Sequence, residues 1–141
     1  NRGAGKKERI RKGFRHGLTL EFCYWVCIAL VILLFRKPLM GLFVTAGNQG
    51  IIGLGSSYLG LMALFYIFPA FTNGIQGFFR GMGNMSITLL GTFVQTSLRV
   101  VFVYLLAPVM GMQGVAYACA VGWSVMLLVE IPYYFWFMRG K

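Results

Sequence analysis

Apolar residues in this chain fall into four blocks, and the strongly polar ones collect mainly in the short intervals between them. The first block runs from Leu18 to Phe35, the second from Ser56 to Phe79, the third from Ser86 to Ala107 and the fourth from Gln113 to Met138. Each is close to or above the roughly 20 mainly apolar residues that a helix needs to cross a bilayer. The pattern therefore predicts an all-α membrane protein in which helices 18–35, 56–79, 86–107 and 113–138 form an antiparallel bundle. Residues 1–17 read as a basic loop. Arg36, Lys37 and Pro38 are expected to stop the first helix, Met40 to Gly55 to form a glycine-rich outer loop with room for a short interfacial helix, and Pro108 to Met112 to form a tight turn.

The second block organises the rest. Pro69 lies in its middle and has no N–H to give the carbonyl of Phe65, so this span must kink, and the freed carbonyl needs a partner helix, a side chain or water. Gly77 and Gly81 near its end have the spacing that lets membrane helices approach closely.

Composition agrees with the pattern: 58% of residues are hydrophobic and 11% charged, against about 25% charged in soluble domains. A formal charge of +10 would suggest nucleic acid in a soluble protein. Here the basic residues lie between apolar blocks, which points to membrane topology and away from nucleic acid. Ten of the 13 Lys and Arg, including seven among residues 1–17 together with Arg80, Arg139 and Lys141, fall on one side of the four spans, and Arg36 and Lys37 fall on the other. The excess of cations marks the cytoplasmic side. A multi-pass cell-membrane protein with both ends of this segment in the cytoplasm is expected. The start at Asn1, with no signal-peptide pattern, reads as a piece of something longer.

Polar groups inside a bilayer are costly, so their positions are informative. Asn73, Gln76 and Arg80 follow Pro69 at four, seven and eleven residues and share the face of the kink. Thr88, Thr92, Gln95 and Arg99 form a second stripe, and the two are expected to face one another or a shared wet cavity. Arg99 lies about 20 Å into its helix, whereas Glu130, the one deep acid, is about 9 Å from the basic end. A direct pair between them is not expected. Asn73, Gln76, Gln95, Arg99 and Glu130 are the candidates for lining a transport pathway. As plain interhelical hydrogen bonds, each would contribute about 0.6–2 kcal/mol to the bundle.

Glu21 and His16 read as interfacial, Tyr133, Tyr134 and Trp136 as an aromatic belt, and Cys23, Cys27 and Cys119 as small packing residues, with no further ligands to complete a metal site. The chain has no aspartate and a single histidine, and no nucleophile stands sequentially beside a base. No phosphate-binding GxxxxGK[ST] loop occurs, so an enzyme is not expected. Asn84, Met85 and Ser86 match a glycosylation sequon on the side where it would go unused.

Four separated motifs resemble those of the multidrug and toxic compound extrusion (MATE) family. Asn1-Arg2-Gly3-Ala4-Gly5-Lys6 followed by Arg9 is similar to its "QNxGAGK…R" signature. Gly77-Phe78-Phe79-Arg80-Gly81-Met82-Gly83 resembles its "GxxRGxG", Leu98-Arg99 its "LR", and Gly111 to Ala116 its "GxxGVA". They occur in the family's order across nearly the whole chain. The resemblance implies the C-terminal third of a twelve-helix, two-lobed transporter, from the loop before helix nine through helix twelve. It implies export of organic cations or drugs in exchange for sodium or protons, with no cofactor beyond the coupling ion. Its partners would be the lipid bilayer, the small-molecule cargo and the remaining helices of the full-length chain. Pro69 becomes the hinge candidate for lobe motion. One departure stands out: some members place a coupling carboxylate in the helix matching Ser57 to Phe79, where this sequence has only Asn73 and Gln76 as strongly polar side chains. A lipid-linked saccharide flippase of the same superfamily and a non-transporting membrane assembly subunit are the competing readings.

Overall fold

The computed structural model describes residues 1–45 and 47–140; Lys141, counted above with the basic side, lies outside them. The described residues form five helices, α1 (Lys7–Phe43), α2 (Gln49–Phe65), α3 (Ile67–Gly81), α4 (Ser86–Met110) and α5 (Met112–Arg139), with no strand among them. Helices α1, α4 and α5 are each long and apolar enough to cross a membrane, and α2 and α3 qualify together as one span bent by 40°. The fold is therefore an all-α membrane bundle with three candidate spans, or four where the bent pair counts as one.

The bend falls at Tyr66, three residues before Pro69. Proline is tolerated there because it is the third residue of α3, in the first turn, where an N–H has no intrahelical acceptor to lose. Helical bonding holds on both sides of the break: Tyr66 N–H donates to the Met62 carbonyl at 2.9 Å and Ala70 N–H to the Tyr66 carbonyl at 3.1 Å.

Several expected boundaries shift. The basic segment is helical from Lys7, and α1 continues through Arg36, Lys37 and Pro38 to Phe43 instead of stopping there. Its partner helix holds it: the Met40 side chain lies over Gly55 of α2, and the Arg36 guanidinium lies over Gly60, at 2.6 Å from where a Cβ would stand. The 37 residues of α1 span about 55 Å at 1.5 Å per residue, so both ends overrun a bilayer core of about 30 Å. The outer loop shrinks to residues 44–48, since α2 already begins at Gln49. The turn between α4 and α5 shrinks to Gly111, whose φ of +63° suits glycine.

The spans pack in a row. Helix α1 lies against α2 and α3, the bent span lies against α5, and α5 lies against α4 along much of its length. Close backbone approach between α4 and α5 depends on glycine. A Cβ on Gly114 would stand 2.5 Å from the Leu106 carbonyl oxygen, and one on Gly122 would stand 3.0 Å from that of Gln95. Gly77 and Gly81, the pair with the expected spacing, have nothing within 4 Å and make no such approach among the described residues.

At the basic end, α3 stops in a Schellman turn. Gly83, at φ +71°, donates to the Arg80 carbonyl at 3.0 Å, and Asn84 N–H donates to the Phe79 carbonyl at 2.9 Å. Arg2 donates to the Met82 carbonyl in the same turn. The first and second family-like motifs therefore touch, a cation placed at a helix C-terminus where the dipole favours it. The tyrosines expected in an interfacial belt belong instead to an aromatic cluster at this end. Phe14, Phe78 and Tyr134 lie 4.7–5.0 Å apart between ring centroids, and Phe79 packs on Tyr133 and Phe137. Trp136 alone of the three is largely exposed. Cys119 is buried as expected, whereas Cys23 and Cys27 are exposed on α1.

Candidate functional site

Glu130 is the most unusual side chain in the bundle: an acid on a membrane-crossing helix with 0% of its surface exposed. An ionised carboxylate there costs several kcal/mol unless other groups offset it, so what surrounds it decides what it can do. Pro132 follows two residues later in α5 and removes the N–H that would bond the Leu128 carbonyl, loosening the helix beside the acid. Opposite, α4 presents Gly91, where a Cβ would stand 3.3 Å from Glu130 Oε1 and 3.1 Å from the Met126 methyl. Glycine at 91 thus leaves the space that the carboxyl and the thioether fill.

The kinked span supplies the polar partner. Gln76, 6% exposed, donates from Nε2 to Glu130 Oε1 at 3.2 Å and has Met126 Sδ at 3.9 Å. Its amide oxygen accepts from Arg80 Nη2 at 3.5 Å, and its main-chain carbonyl accepts from Arg80 Nε at 3.4 Å. Only one amide orientation serves both neighbours, with oxygen toward the guanidinium and NH2 toward the carboxyl. Arg80, Gln76 and Glu130 therefore form a directed chain from the exposed basic end to a buried acid. The positive charge is delivered to the carboxyl through a neutral amide. Among the described residues Glu130 Oε2 has no hydrogen-bond partner, and neither do the buried hydroxyls of Thr72 and Thr88, one turn from Gln76 and from Gly91 respectively.

The aromatic cluster covers this chain at the basic end, since Tyr133 and Tyr134 stand one turn beyond Glu130 and Phe79 is fully buried beside Arg80. Asn84 donates to the Tyr133 hydroxyl at 2.8 Å and fixes one edge of the cover.

The five pathway candidates separate. Gln76 and Glu130 meet. Asn73 is exposed on the α1 side of α3, where it and Glu21 together line two open cavities of about 460 and 320 Å³. Gln95 is buried on α4 against Gly122 of α5, with Thr96 Oγ1 donating to its Oε1 at 3.4 Å. Arg99 follows one turn later, half-buried. The two polar stripes therefore do not face one another: α3 and α4 touch little, and each sends its glutamine to α5. Gly122 and Glu130 are eight residues apart, about 12 Å along α5, and Arg99 makes no pair with the acid. The only ion pair among the described residues joins Lys12 and Glu8 at the surface, at 3.7 Å. Gly91 and Met126 were not singled out by sequence, and Glu21 was read there only as an interfacial acid. Gly91 had a legible signal, because it lies on the Thr88–Gln95 face at spacings of three and four. Glu21 carried none, since placing it in the headgroups explained it fully. No group of three His, Cys, Asp or Glu that could hold a metal occurs among the described residues.

Comparison with known proteins bears on this site. A family model described as MatE matches residues 1–105, which takes in α1, the bent span and most of α4. The "Probable multidrug resistance protein NorM" of Thermotoga maritima is 29% identical over 92 residues, covering 65% of this chain. The chain spans 19% of that protein's length. No solved structure matches. With the family model covering well over half of the residues, and with its span joining the docked Arg2 segment, the Arg80 turn and the kinked helix, the chain belongs to the MatE family.

Proposed function

We propose that this chain supplies C-terminal-lobe helices to a secondary-active multidrug efflux transporter that exports organic cations or drugs in exchange for protons or sodium by alternating access. The observation that carries the reading is the buried carboxyl of Glu130, held by Gln76 and linked through it to Arg80. The kinked span lacks an acid of its own, and Glu130 of α5 stands beside its amide instead. Protonation or cation binding at Glu130 Oε2, the oxygen without a protein partner, changes the charge that Arg80 and Gln76 must balance at the α3–α5 contact. That contact joins the helix carrying the bend to the helix that forms the centre of the row. A charge change there biases the two positions of the bent span, as ion coupling in an exchanger requires. The excess of Lys and Arg at the Arg80 and Arg139 end supports a cytoplasmic position for both ends of the segment. Asn73 and Glu21, which line the same open cavities beside α1, fit the entrance of the pathway at that side.

The test uses the intact transporter in proteoliposomes, with export of a cationic dye driven by an imposed proton or sodium gradient. Glu130→Gln is expected to abolish or shift the dependence on one of the two ions while leaving the protein folded. An ion dependence equal to that of the wild type would place Glu130 among the structural hydrogen bonds and end the proposal for this residue.

A further inference from the structure

Between the basic ends of α1 and α5 the surface opens into a groove with two chemically different parts. The deeper part, a cavity of about 330 Å³, is lined wholly by apolar and aromatic side chains, with Phe71 and Ile75 of α3 as its floor and Leu18, Leu127 and Ile131 on its walls. Toward the basic end, Phe14, Leu18, Tyr134 and Phe135 also line a neighbouring cavity, of about 400 Å³. There the rim carries Arg11 and Arg15 from α1 and Arg139 from α5. None of the three is paired with an acid, and none donates a side-chain hydrogen bond to the protein, among the described residues. Three guanidinium groups on one rim concentrate positive charge there and offer forked donors to an anion.

We propose that this groove binds one anionic phospholipid of the surrounding leaflet, with its phosphate on Arg11, Arg15 and Arg139 and an acyl chain along the apolar floor. Charge and length both match. Guanidinium groups hold phosphate oxygens through forked N–H donors, and basic pockets between membrane helices take acidic headgroups. Leu127 and Arg139 are twelve residues apart on α5, about 18 Å, which is the hydrocarbon depth of one leaflet, about 15 Å, plus the first headgroup atoms. Ile131 and Phe135, 43% and 58% exposed, open the groove laterally, so a lipid enters from the side. The Phe14–Tyr134 ring contact at 4.7 Å bridges α1 and α5 across the same groove. A bound lipid therefore braces the long first helix against the last one.

The experiment is native mass spectrometry of the intact transporter, released from nanodiscs holding equal phosphatidylglycerol and phosphatidylcholine of identical acyl chains. The wild type is expected to retain phosphatidylglycerol about tenfold or more over phosphatidylcholine, from three favourable charge contacts. The triple variant Arg11→Gln, Arg15→Gln, Arg139→Gln is expected to bring the ratio near one. Ile131→Trp, on an exposed membrane face where it leaves the charges intact, is expected to reduce retention of both lipids and serves if the triple variant is not recovered. Equal retention of the two lipids by the wild type would overturn the proposal, as would an unchanged preference in the triple variant. Displacement of the lipid by glycerol phosphate at matched concentration would also overturn it, by showing a headgroup patch with no role for the groove. Absence of any retained lipid would leave the groove to another part of the polypeptide and equally overturn it.

Discussion

Gln76 illustrates how much one side chain can determine in a low-dielectric interior. Its amide contacts an arginine on one side and a carboxyl on the other, and neither of those groups reaches the other directly. Replacing it by leucine removes both bonds and strands the buried acid, a change expected to cost about 1–3 kcal/mol or more. A lowered melting temperature of the purified protein would register it, and Gln76→Asn would recover little because its amide is one methylene too short. Glycine 91 makes a contrasting prediction. A Cβ there meets the flexible ends of Met126 and Glu130 at 3.1 and 3.3 Å, whereas one at Gly114 meets Leu106 backbone at 2.5 Å. Gly91→Ala should therefore leave membrane abundance near normal and alter the ion dependence of export. Gly114→Ala should lower stability by about 1–3 kcal/mol through overpacking that backbone cannot relieve. Equal abundance of the two variants would contradict the distinction. The sequence alone identified Glu130 and Gln76 as candidates, because strongly polar residues are scarce inside apolar blocks. Their pairing was not legible: periodicity states which face of a helix a residue occupies but not which helix that face meets.

At the scale of the helix, the informative feature is where proline falls. Pro69 stands in the first turn of α3, and the break at Tyr66 falls where its missing N–H leaves the Phe65 carbonyl without a helical donor. Pro38 lies inside α1, and the helix runs on for five more residues because Met40 and Arg36 pack over Gly55 and Gly60 of α2. A local rule therefore located the bend correctly and truncated α1 wrongly. The difference is tertiary contact, which is invisible in a stretch of sequence considered alone. The bend predicts a division between function and folding. In the intact transporter Pro69→Ala should reduce the rate of export more than the amount of protein in the membrane, as measured by dye efflux against quantitative immunoblotting. Matching losses in both would make Pro69 a folding residue.

Across the whole molecule, the all-α membrane fold was readable from apolar blocks of bilayer length, and the four separated motifs led to the family. What remained hidden was the row-like packing, in which α5 rather than either polar stripe takes the centre. Orientation can be tested directly. In a background lacking Cys23, Cys27 and Cys119, a cysteine at Met110, by the α4–α5 turn, should react with a membrane-impermeant maleimide added to whole cells. One at Met85, by the α3–α4 turn, should react only after the cells are opened, and the reverse pattern would invert the topology. Exchange at Glu130, as proposed, requires that the ion leave the acid when the cation enters. Its most direct measurement is the ion released when a cationic dye binds the purified intact transporter, followed by a pH indicator in weak buffer and by a sodium electrode. Protons or sodium are expected to be released from the wild type, and the dye is expected to bind Glu130→Gln without that release. Release of the same ion in the same amount from both proteins would contradict it.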